Sequence, residues 1–124
     1  MSKIKTIEQR DGYPDIILDK ENGIFEIRGI SIPLDSKNFY QPILDFITEY
    51  NRDPNEVTHF LFNLRYFNIS SSKMLLFILY KLRELHVAGK TVIITWCYDD
   101  EDILEAGKDF EQMSKIPFQF KEVF

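Results

Sequence analysis

The chain has 124 residues, of which 44% are hydrophobic and 15% aromatic, including eleven Phe; this excludes a disordered polymer and supplies one genuine core. A net charge of −5 without a basic patch makes nucleic acid and anionic membranes poor matches as partners. One cysteine, Cys97, excludes an internal disulfide and a cysteine-rich zinc site, and no apolar run approaches the ~20 residues of a transmembrane helix. The start, Met1-Ser2-Lys3-Ile4-Lys5, is followed by no signal-like apolar region, so a single domain over 1–124 in the cytoplasm is expected.

Residues 1–13 read as a loose polar start containing a short strand. Asp15-Ile16-Ile17-Leu18-Asp19 is a strand, and Asn22-Gly23 signals a hairpin because both residues tolerate positive φ. Ile24-Phe25-Glu26-Ile27-Arg28 alternates and returns with one face buried. After a connection with Pro33, residues 38–51 form a helix whose apolar face carries Phe39, Ile43, Phe46 and Ile47. Pro42 is expected in its first turn, where a missing N–H matters little. Val57 to Leu64 is mostly apolar, which predicts burial on both faces. A helix from about Ser71 to Ala88 follows, stopped by Gly89. Residues 91–98 are a strand, Asp100 to Met113 a helix, and 118–124 a last strand near an edge. The order β-β-α-β-α-β-α-β predicts one mixed α/β sheet with three main helices, the helix-linked strands parallel through right-handed crossovers. Strands 57–64 and 91–98 then end on the same edge, the usual place for a site in such sheets.

Two segments leave that edge. Tyr66-Phe67-Asn68-Ile69-Ser70-Ser71-Ser72-Lys73 puts three hydroxyls at a helix start, where unpaired N–H groups and a partial positive charge accommodate a phosphate, bound or covalently attached. The plainer reading is that one serine is an N-cap. Asp99-Asp100-Glu101-Asp102 could bind Mg²⁺, or simply complement the helix dipole with Asp99 or Asp100 as the cap. His59, His86 and Cys97 come with no nucleophile motif, and five glycines form no phosphate-cradling loop. Met74 to Tyr80 is apolar throughout, although Leu75, Ile78, Leu79, Leu82 and Leu85 complete a stripe. Met74, Phe77 and Tyr80 therefore either pack on neighbouring helices or form a partner surface beside the serines.

Four separated motifs in order, Tyr66-Phe67-Asn68-x-Ser70-Ser71-x-Lys73, Trp96-x-Tyr98-Asp99, Leu104-Glu105-x-Gly107 and Ile116-Pro117-Phe118, resemble the SiaC-type regulatory phosphoproteins, most strongly over 57–124. That family is similar in architecture and logic to the STAS-type antagonists of anti-sigma factors. The resemblance implies a non-catalytic switch without a cofactor or metal. A dedicated kinase would phosphorylate it at the helix start 69–72, a PP2C-type phosphatase would reverse this, and a diguanylate cyclase would be a target of the unmodified form. The family motif reads Asn-Thr-Ser-Ser with the threonine as acceptor. Here that position is Ile69, so either the acceptor is Ser70 or Ser71, or phospho-control is lost.

The leading expectation is thus a protein-interaction switch with phosphorylation at Ser70 or Ser71 and a partner surface of Asn68, Ile69, Ser72, Lys73, Phe77, Asp99 and Asp100. The alternatives are a small metal-dependent enzyme using 99–102, and a scaffold subunit without phosphate chemistry.

Overall fold

The computed structural model describes residues 3–6 and 10–123; the remainder of the predicted loose start, and Phe124 at the end of the predicted last strand, lie outside them. The elements are β1 (Ile4–Thr6), β2 (Asp15–Asp19), β3 (Ile24–Ser31), α1 (Ser36–Tyr50), β4 (Val57–Phe67), α2 (Ile69–Val87), β5 (Thr91–Tyr98), α3 (Glu101–Ser114) and β6 (Phe118–Glu122). They build one six-stranded sheet in sequential order, β1 to β6. The first three strands pair antiparallel and the helix-linked ones parallel, as the connection lengths require.

The β2–β3 connection spans Lys20–Gly23, and of its residues Gly23 alone takes a positive φ, +67°. Asn22 contributes through its side chain, which donates to Asp19 Oδ2 at 2.7 Å.

Sequential strand order with right-handed crossovers puts every helix on the same side of the sheet. This corrects the expectation that 57–64 is buried on both faces. Thr58, Phe60, Phe62 and Leu64 of β4 face the helices and are buried, while Val57 and His59 are exposed. The covered face is built from two apolar rows. Ile4, Leu18, Phe25, Phe60, Ile94 and Phe118 pair across all six strands; Ile16, Ile27, Phe62, Trp96 and Phe120 form the next row. Trp96 anchors α3 by donating from Nε1 to the Ile103 carbonyl at 2.9 Å. Gly107 is what lets α3 approach, since a Cβ there would stand 2.8 Å from Trp96 Cγ and closer still to Nε1.

Pro42 is not in the first turn. Asp35 caps α1 by accepting from Asn38 N–H at 3.1 Å, so the helix begins at Ser36 and Pro42 falls in the second turn. The proline leaves the Asn38 carbonyl without its intrahelical partner, on an exposed side of the helix where water can serve it. Two strands also run longer than predicted. A register shift between Gly29 and Ile30, with Gly29 at φ +100°, absorbs one extra β4 residue and lets pairing continue to Ser31 and Phe67. That extension carries Ser31 and Asn68 to the edge where the helices begin.

Candidate functional site

α1 and α2 leave adjacent parallel strands, so their first turns meet at one sheet edge. The N-cap of α2 is Asn68, not a serine: its Oδ1 accepts from Ser71 N–H at 2.9 Å. α2 therefore starts at Ile69, two residues earlier than predicted, and all three serines lie in its first turn. Successive residues there are turned by about 100°, so each points a different way. Ser70 is exposed, donates to Asn68 Oδ1 at 3.1 Å and touches Ser36 Oγ of α1 at 2.8 Å. Ser72, half-buried, donates to the Ile69 carbonyl at 2.7 Å.

Ser71 points inward and is fully buried. Its hydroxyl donates to the Ser31 carbonyl at 2.9 Å and contacts Ser31 Oγ at 2.8 Å; Ser31 Oγ in turn meets Tyr40 Oη at 2.6 Å. Ser31 and Tyr40 are equally buried. Burial pushes the Tyr40 phenol up to about 12, since the phenolate would lose its solvation. Ser71 is thus a tertiary strut between β3 and α2. Its hydroxyl is enclosed and already hydrogen-bonded, whereas that of Ser70 is exposed.

A groove of about 860 Å³ opens beside Ser70, between the starts of α1 and α2. The α2 side gives Ile69, Ser70, Lys73, Met74 and Phe77; the α1 side gives Leu34, Asp35, Ser36, Lys37, Gln41 and Leu44. Met74 and Leu44 are buried in its floor. Leu34 at 94%, Ile69 at 89% and Phe77 at 42% exposure leave apolar side chains open to solvent around it. Of the surplus apolar residues on α2, Met74 packs inward, whereas Phe77 and Tyr80 are exposed.

The acidic run takes the capping role that the sequence offered for it, and it lies outside the groove. Asp99 and Asp100 follow the end of β5 on the same edge, but they open the next connection and do not line the groove. Asp100 is the α3 N-cap, accepting from Ile103 N–H at 2.9 Å, and Glu101 and Asp102 complement the dipole in the first turn. Among the described residues no three His, Cys, Asp or Glu side chains converge as metal ligands. The carboxylate in the groove is Asp35 instead. On the open face of the sheet, His59 Nε2 pairs with Thr95 Oγ1 at 2.7 Å, and Cys97 is buried with its thiol pushed up by that burial. Neither lies at the groove.

Sequence reasoning found the α2 half of the groove and missed the α1 half. Leu34, Ser36 and Lys37 belong to no motif. The signal that could have found them is topological, because helices after neighbouring parallel strands start at the same edge.

Known proteins share this fold. A sequence model of the SiaC family of regulatory phosphoproteins matches residues 7–123. An uncharacterised protein of Pseudomonas aeruginosa strain UCBPP-PA14 is 29% identical over 107 residues, 85% of each chain. The crystal structure of apo-SiaC from Pseudomonas aeruginosa superposes with a TM-score of 0.88 at 26% identity, covering 98% of this chain and 99% of that one. A chain from the crystal structure of the diguanylate cyclase SiaD in complex with its activator SiaC, from the same organism, gives 0.86 at 26% identity, with 93% and 96% covered. With the family model spanning nearly the whole chain and the fold matching that of a family structure, the chain belongs to the SiaC family of regulatory phosphoproteins.

Proposed function

We propose that this protein is a non-catalytic cytoplasmic switch whose α1–α2 groove binds a partner protein and whose Ser70 is the phosphate acceptor. The observation that carries the reading is the position of Ser70. It is the exposed serine in the lining of an otherwise largely apolar groove. An exposed apolar rim of Leu34, Ile69 and Phe77 suits a partner segment with apolar anchors. The solved complex of a SiaC relative with a diguanylate cyclase supports a cyclase as that partner. A protein kinase and a PP2C-type phosphatase complete the proposed set.

Phosphate on Ser70 adds about −1.5 to −2 charges within the lining. Lys37 and Lys73 line the same groove against the single carboxylate Asp35. In the unmodified protein they favour a partner segment carrying acidic groups; the phosphate competes for both lysines and repels that segment. Partner release on phosphorylation follows.

Ile69 supports a second reading, a scaffold without phospho-control, because it holds the family's acceptor position and is almost fully exposed. Intact-mass and fragmentation spectra after coexpression with the cognate kinase separate the two. The switch reading expects phosphate on Ser70 in the native chain, and higher incorporation in Ile69→Thr with the added phosphate on residue 69. Absence of incorporation in both proteins would favour the scaffold reading.

A further inference from the structure

We propose that Ser36, in the first turn of α1, is the positioning residue of the switch: it donates to the Ser70 hydroxyl while that is free and to the phosphate once it is attached, holding the charge over the groove. The inference rests on Ser70 being the modified residue.

Proton bookkeeping among the hydroxyls assigns the roles. The Asn68 amide oxygen can only accept and lies 3.1 Å from Ser70 Oγ in donor geometry, so we direct the single Ser70 proton toward Asn68 Oδ1. Ser70 Oγ must then accept from Ser36 Oγ at 2.8 Å. On the inner side, the Ser71 proton goes to the Ser31 carbonyl, so Ser71 Oγ accepts from Ser31 Oγ, which accepts from Tyr40 Oη. Ser36 and Ser71 stand 3.5 Å apart with both protons already committed. Ser36 is therefore the one hydroxyl from α1 whose proton is directed at the acceptor position. It is also buried, so water is a poor substitute partner.

Phosphorylation replaces the Ser70 O–H bond by an O–P bond; the proton leaves, and a nucleoside diphosphate departs from the triphosphate donor. The ester oxygen is a weaker acceptor than the hydroxyl was. The phosphate oxygens are far stronger ones, and a hydroxyl donating to an anionic oxygen makes a short, charge-assisted bond. The Ser36 O–H turns to donate to them. The phosphate is then tied to the first turn of α1, between the two helices, rather than swinging into solvent. Lys37, Lys73 and Asp35 are the charged groups lining the same space.

The test installs phosphoserine at position 70 during translation, by suppression of a stop codon with a phosphoseryl-tRNA, so that no kinase is needed. The phosphorus resonance is titrated against pH in the full chain and in Ser36→Ala and Ser36→Thr. A hydroxyl donating to the dianion favours it. The native chain should therefore titrate below the value of about 6 typical of a phosphoserine, Ser36→Ala should titrate higher than the native chain, and Ser36→Thr should restore the native midpoint. Amide resonances of Ser36 and Lys37 should move on phosphorylation in the native chain and in Ser36→Thr. An unchanged midpoint in a folded Ser36→Ala, or perturbations confined to residues 68–73, would overturn the proposal. Loss of the native amide spectrum in Ser36→Ala shifts the decision to Ser36→Thr, whose midpoint must match the native one. A kinase that fails to modify Ser70 would overturn the function proposed above, and with it the part of Ser36 in a switch, whereas an unchanged midpoint in Ser36→Ala overturns the Ser36–phosphate contact alone.

Discussion

Tyr40 shows what the hydroxyl network demands of a single side chain. Its ring belongs to the core, and its hydroxyl reaches Ser31 Oγ at 2.6 Å. Burial raises its pKa from 10.0 to about 12. The folded state thus prefers the neutral phenol more strongly than the unfolded chain does. That preference is fully present below pH 10 and is lost as pH rises toward 12, by about 2–3 kcal/mol in all. At neutral pH, Tyr40→Phe should cost about 1 kcal/mol, the net worth of one hydrogen bond. Between pH 10 and 12 the variant should escape the phenolate penalty, so its stability should fall less steeply than the native protein's. Denaturant titrations across that range measure both slopes, and equal slopes would show that Tyr40 does not titrate as a buried phenol.

α2 does two jobs with opposite faces. Leu75, Ile78 and Leu79 are fully buried against the sheet, while Phe77 and Tyr80 face outward. Leu79→Ala should therefore cost about 2–5 kcal/mol by leaving a cavity in a site with little freedom to collapse. Phe77→Asp should leave the fold intact and weaken partner binding by about tenfold or more, because it puts a charge where an apolar anchor is proposed to sit. Calorimetry against the proposed cyclase partner, paired with thermal melts, separates these effects; native affinity in a folded Phe77→Asp would remove this side of the groove from the proposed interface. The outward surplus of apolar residues was legible in the sequence, since a stripe needs fewer than the run from Met74 to Tyr80 supplies. Which of them would turn inward was not: Met74 is buried because α1 lies beside it, and that neighbour belongs to another part of the chain.

The sheet as a body is asymmetric. One face carries two unbroken apolar rows under three helices. The other shows Glu26 paired with Arg28 at 2.8 Å and exposed His59, among half-buried Ile17, Leu61 and Ile93. Stability should follow that asymmetry. Phe62→Ala, in the middle of a covered row, should cost about 3–5 kcal/mol. Glu26→Ala, on the open face in a pair half exposed to water, should cost less than about 1 kcal/mol. Urea titrations of the two variants check the contrast, and comparable losses would mean that the open face is covered in solution.

Local chemistry in the sequence determined the order of the elements, the parallel pairing of β4 with β5, the stop of α2 at Gly89 (φ +89°) and the shared edge of Ser70 and Asp99. Each of these follows from periodicity, turn residues and connection length, which act within a few residues of chain. The sequence also marked the α2 half of the site, because its motif is continuous. Tertiary structure decided the rest. It turned Ser71 into a buried strut, since that role depends on Ser31 and Tyr40 arriving from β3 and α1. It confined burial to one face of β4, because the side on which a crossover helix lies is fixed by strand order rather than by strand composition. It set Ser36, Lys37 and Leu34 opposite Ile69, Ser70 and Lys73, across a groove in which Ser36 meets Ser70 from 34 residues away in the chain. No local pattern encodes that meeting; the right-handed crossover between adjacent parallel strands does.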